Sequence, residues 1–74
     1  MVTVDSAAVM RLMRQKQLGT YALARRAGVT ASTLLRVLEG RTPTKIMTVF
    51  KIGEALGVNY NDLITAKLFQ GETA

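Results

Sequence analysis

Between Thr20 and Glu39 two short helix-forming stretches are separated by little more than Gly28 and Val29, and that spacing leaves few ways for the chain to fold. Helices this short, joined by a turn of about three or four residues, must cross steeply and at close range. Close crossing needs a small residue in the first helix, and Ala24 supplies it. The turn needs positive φ, which costs a residue with a Cβ about 1–2 kcal/mol, and Gly28 stands at that place. Val29 is apolar and can plug the wedge between the helices, while Leu34 and Val37 give the second helix an inner face. Leu23 and Ala27 complete the inner face of the first. Each demand is weak alone, but their joint satisfaction predicts a helix-turn-helix at residues 20–39.

The flanking segments read as further helices. Asp5 is a good N-cap, with Val9, Leu12, Met13 and Lys16 at helical spacing behind it, and this helix is expected to end near Gln17, where Gly19 can break it. Thr20–Ala27 follows, with Arg25 and Arg26 toward water, and Gly28 stops it. Thr30 caps Ala31–Glu39, closed by Gly40. The loop Arg41-Thr-Pro-Thr44 contains Pro43, which disfavours helix at the residue before it. Thr44 or Lys45 then opens a helix with Ile46, Val49, Phe50, Ile52, Ala55 and Leu56 on a wide buried face, ending at Gly57. Asn59 caps a last helix expected from Tyr60 to about Phe69, with Asp62 in its first turn. Met10, Met13 and Met47 read as core filler. No segment sustains a period of two, so no sheet is expected.

Composition narrows the chemistry. With no Cys and no His in 74 residues, disulfides, thiolate chemistry and the commonest metal ligand and general base are absent, which argues against an enzyme and against any cofactor or metal site. No apolar run approaches the roughly 20 residues of a membrane span, and the first residues lack a secretory signal, so a cytoplasmic protein of a bacterium or phage-infected host is expected. The whole chain, 1–74, reads as one domain with its core at about 6–66 and 67–74 as a C-terminal extension. Its core is aliphatic, with only two Tyr, two Phe and no Trp. The charge is uneven: Arg11 to Lys51 holds nine basic residues and one acid, a net +8 in a chain of net +5. A basic middle points to a polyanion partner.

Leu23-Ala24-x-x-Ala27-Gly28-Val29-Thr30, then Leu34-x-Arg36-Val37-Leu38-x-Gly40, resembles the lambda-repressor/Cro-like helix-turn-helix family, often called XRE-like. The later run Thr48-Val49-x-Lys51-Ile52-x-x-Ala55-Leu56-Gly57-Val58, closed by Leu63-Ile64, is similar to the same family. The resemblance covers about residues 6–66 and implies an all-α, compact five-helix bundle that docks its third helix in the major groove of double-stranded DNA. It also implies a homodimer on a two-fold operator.

It further implies roles, residue by residue. Ala31, Ser32, Thr33, Leu35 and Arg36 are placed to meet base edges. Arg36 leads for direct readout, because a guanidinium can bond guanine O6 and N7 together. Thr20, Thr30, Arg41, Thr42, Thr44 and Lys45 are placed to hold phosphates, Thr20 at a helix N-terminus that suits an anion. Arg11, Arg14, Lys16, Arg25 and Arg26 read as surface charges.

The sequence departs from the family pattern in four places. Met13 and Leu38 stand where many members bury an ion pair, an exchange that is often neutral or stabilising. Glu39 stands where phosphate often approaches, the loop Arg41–Lys45 is a residue longer, and Gly53 replaces the usual Ala. A transcription regulator, most simply a repressor, is the leading expectation. An antitoxin or a protein-interaction module on the same fold is the alternative, and RNA binding is disfavoured by the scarcity of aromatics. Leu68 and Phe69 are candidates for the homodimer seam, and no membrane or small-molecule partner is expected.

Overall fold

Each helix in the computed structural model, which describes residues 1–40 and 43–65, starts and stops where local chemistry dictates. The elements are α1 (Ser6–Lys16), α2 (Thr20–Ala27), α3 (Ala31–Glu39), α4 (Ile46–Leu56) and a short 3-10 turn (Tyr60–Leu63). The Asp5 side chain accepts from the Ala8 amide at 3.1 Å and so opens α1. Thr30 and Asn59 cap α3 and the 3-10 turn in the same way. At the end of α2, Gly28 takes φ 78°, and its amide and that of Val29 both reach the Ala24 carbonyl, at 2.9 and 3.0 Å. These bonds satisfy a carbonyl left orphaned at a helix end and turn the chain sharply into α3.

The core is aliphatic throughout. Leu23, Leu34, Ile52, Leu56, Leu63, Val9, Val37 and Val49 are fully enclosed, and each contributes about 1.5–3 kcal/mol through burial. α2 packs on both α3 and α4, α1 on α3 and α4, and the 3-10 turn on α1 and α4. Ala24 and Ala27 are buried at the α2 crossing and Val29 is half-buried beneath the turn, as the steric reading of 20–39 requires. Met13 is buried and Leu38 packs partly against the same cluster, so the two apolar substitutions for an ion pair sit in or against the core.

Four expectations need correction. The bundle has four α-helices rather than five. The last segment is helical only to Leu63; Ile64 is extended, at φ −111° and ψ 137°, because it pairs with the N-terminal segment. The part of the expected helix from residue 66 onward, with Leu68 and Phe69, lies outside the described residues. Ile46 and Phe50 are not buried, at 42% and 41% exposure, since the neighbours of α4 cover only the face of Val49, Ile52, Gly53 and Leu56. Met10 and Met47 are exposed for the same reason, their faces having no neighbour, which leaves Met13 alone as core filler. α1 is ended by Gln17 in the left-handed region, at φ 56°, whereas Gly19 is an ordinary extended N-cap of α2.

No strand forms among the described residues, but two isolated antiparallel bridges do: Val2 with Thr44 and Val4 with Ile64. Val2 and Thr44 exchange backbone hydrogen bonds, both at 2.8 Å. On the other edge the Asp5 amide donates to the Leu63 carbonyl at 2.7 Å and the Thr65 amide to Thr3 at 3.0 Å. Residues 2–5 thereby clasp the entry of α4 to the end of the 3-10 turn, with Val4 buried beneath.

Candidate nucleic-acid interface

Helical spacing sorts the residues of α3 onto two faces. Leu34 and Val37 are buried, while Ser32, Leu35, Arg36 and Glu39 form an exposed stripe, with Leu35 47% accessible. Ala31 and Thr33 lie half-buried along the flanks. The outer face of α3 is uncovered by any described part of the chain.

The first turn of α3 is held firmly. The Thr33 amide donates to Thr30 Oγ1 at 3.1 Å, and the Thr30 hydroxyl donates to Thr33 Oγ1 at 2.9 Å. These bonds commit the Thr30 hydroxyl proton to the cap and orient the turn that carries Ser32. Thr20, the first residue of α2, is half-buried behind Gly19.

Beside α3 lies an open groove of about 290 Å³. Thr33 and Arg36 form one wall, Lys45 and Thr48 the other, with Met1, Pro43 and Thr44 between. The fold thus gathers four of the anticipated residues, Thr33, Arg36, Thr44 and Lys45, around one cleft carrying two cations and several hydroxyls. Thr44 is 9% exposed and its backbone is engaged by Val2, so what it can offer a ligand is limited to its side chain. Thr20 is not part of that cleft. Arg41 and Thr42 lie outside the described residues.

Thr48, Pro43 and Met1 line the groove although sequence reasoning gave them no role. Thr48 lies one helical turn beyond Lys45, a spacing that signals a shared face. The place of Met1 depends on the Val2–Thr44 bridge, for which the β-branched run Val2-Thr3-Val4 was the available signal.

Electrostatics reinforce the geometry. Arg11, Arg14, Lys16, Arg25, Arg26, Arg36, Lys45 and Lys51 are all exposed. Acids that could neutralise them are few, and Glu39 is the one acid on the α3 stripe. Among the described residues no cluster of His, Cys, Asp or Glu could hold a metal ion, and no helix is long and apolar enough to cross a membrane.

Comparison with known proteins bears on this surface. A helix-turn-helix family model (HTH_3) matches residues 10–63, which includes α2, α3 and α4 entire. No curated protein matches the chain. Among solved structures it is similar to a chain of a SinR protein/SinI protein complex, with TM-score 0.76, 23% identity, and 85% of this chain and 62% of that one covered. An HTH_3 family transcriptional regulator from Vibrio cholerae gives TM-score 0.69 and 23% identity over 76% of this chain and 32% of that one. The prophage Lp1 protein 11 is 33% identical, with TM-score 0.66, over 77% of this chain and 76% of that one. The chain therefore spans less than two thirds of the first two structures it resembles.

Proposed function

This chain belongs to the XRE-like helix-turn-helix family, and from that premise we propose that it is a DNA-binding transcriptional regulator that reads the major groove with α3. The observation that carries the reading is the uncovered stripe Ser32, Leu35, Arg36 and Glu39, held on a helix whose other face is locked into the core. A rigid helix with a free outer face is what groove insertion requires, because a mobile one would lose ordering entropy on binding.

In this reading Arg36 bonds a guanine edge, Ser32 bonds a base of either kind, and Leu35 packs on a thymine methyl. Ala31 and Thr33 flank them. Lys45, with Thr44 and Thr48 beside it, takes backbone phosphate in the groove next to α3, and Thr20 takes another at the start of α2. Thr30 contributes mainly by holding the first turn. Arg41 and Thr42 follow α3 in sequence and extend the phosphate grip. The protein works as a repressor, by occupying its site, in the cytoplasm and without catalysis or cofactor.

The test is selection of bound duplexes from a random library, followed by sequencing. An enriched motif is expected, repeated with two-fold symmetry at about 34–36 Å between half-site centres if two copies bind together. Affinity should fall about 10³–10⁵-fold between 50 and 200 mM salt if about six to ten phosphates are neutralised. Recovery of no motif, with no duplex shifted at low salt, refutes the proposal.

A further inference from the structure

The exposed side of α4 is apolar where a solvated helix would be charged. Ile46, Met47 and Phe50 are 42%, 59% and 41% exposed. Phe50 is steadied by an edge-on contact with Tyr60, with ring centroids 6.0 Å apart and planes at 66°. This face does not belong to the groove beside α3. Thr48 lines that groove, and Ile46 and Phe50, two residues to either side of it, lie about 200° away round the helix axis.

We infer that this face of α4 is the seam through which a second copy of the chain docks. Charge decides the occupant. The described exposed cations crowd the other helices: Arg11, Arg14 and Lys16 on α1, Arg25 and Arg26 on α2, Arg36 on α3. Two copies, each of net +5, repel one another wherever those surfaces meet. α4 alone among the helices offers balanced charge beside apolar surface, with Lys51 and Glu54 both exposed and of opposite sign.

A two-fold axis crossing α4 near Ile52 and Gly53 sets the helices antiparallel, so that Lys51 meets the partner's Glu54 and Glu54 meets the partner's Lys51. Met47 and Phe50 then pack toward the far end of the partner's α4. The surface is self-complementary, and it leaves both α3 stripes open. So few apolar side chains make a small contact, which places the dimer among weak associations.

The inference does not depend on DNA binding, and its test contains no DNA. The full chain is examined by sedimentation equilibrium from about 10 µM to 1 mM, the range in which a weak contact populates both states. A reversible monomer–dimer equilibrium is expected. Met47→Asp, at the most exposed of the three positions, should abolish it with the helical circular dichroism unchanged. Lys51→Glu and Glu54→Lys each place like charges across the axis and should weaken dimerisation about tenfold or more. The double variant K51E/E54K restores opposite charges and should recover most of the loss, a rescue that no purely structural role produces. A chain that stays monomeric throughout overturns the inference. So do dimers that are indifferent to Met47 and the charge variants, or that are lost on Phe69→Asp alone.

Discussion

Gly53 and Val58 approach so closely that the helix end has no room for a side chain: the Val58 amide donates to the Gly53 carbonyl at 2.9 Å, and a Cβ on Gly53 would lie 3.1 Å from the Val58 carbonyl oxygen. Tyr60 Cα and N would lie 3.2 and 3.3 Å from the same Cβ. All three neighbours are backbone, so none can rotate aside. Gly53→Ala gains about 1 kcal/mol of helix propensity but overpacks the Val58–Tyr60 turn at about 1–3 kcal/mol. The expected outcome is a net loss of about 1 kcal/mol, read from urea unfolding as a lower midpoint with unchanged slope. A higher midpoint would show that the turn yields.

Gln17 offers the opposite case. It ends α1 in the left-handed region at φ 56°, where a side chain costs about 1–2 kcal/mol. Its side chain is exposed, so Gln17→Gly loses little packing and incurs only the extra unfolded-state entropy of glycine, about 0.5–1 kcal/mol. A stabilisation of up to about 1 kcal/mol is expected, checked by the same unfolding curves.

The N-terminal clasp should matter more than an unread first few residues usually do. Val4 is 6% exposed and bridges Ile64, at 8%. Val4→Ala should cost about 1–3 kcal/mol through lost burial and the cavity left behind. Thr3→Ala, one position away and exposed, should stay within about 0.5 kcal/mol, because Thr3 bonds Thr65 through its backbone carbonyl. Equal losses in the two variants, measured by thermal unfolding, would count against the clasp.

Arg36 and Lys45 line the same groove from different elements, and their replacement should have different signatures on DNA. Arg36→Ala should relax preference at one base pair and cost about 1–3 kcal/mol, whereas Lys45→Ala should weaken all sequences alike and reduce the salt slope by about 1. Library selection at two salt concentrations separates them. A uniform loss for Arg36→Ala would assign its guanidinium to a phosphate.

What the sequence determined by itself is the helical frame and the face α3 leaves open. The Asp5 and Thr30 caps, the stops at Gly28, Gly40 and Gly57, and the α2–α3 crossing were legible because each arises from contacts within a few residues. Leu34 and Val37 lie on one side of a helix and Ser32, Leu35 and Arg36 on the other, whatever surrounds it. For the same reason most of the candidate base-contacting residues could be named from spacing and family pattern.

Tertiary structure decided what depends on a distant partner. Whether Tyr60 begins a helix or a single 3-10 turn rests on Val4, some 60 residues away in sequence, whose bridge draws Ile64 into extended backbone. The groove had the same origin, since Thr33 and Arg36 meet Lys45 and Thr48 only because α3 and α4 are folded against each other. Ile46, Met47 and Phe50 are as apolar as their buried neighbours Val49 and Ile52, and apolar character says only that a side chain gains by burial. Which of them is covered depends on where the neighbouring elements come to lie, and that is a property of the packed chain rather than of any short stretch of it.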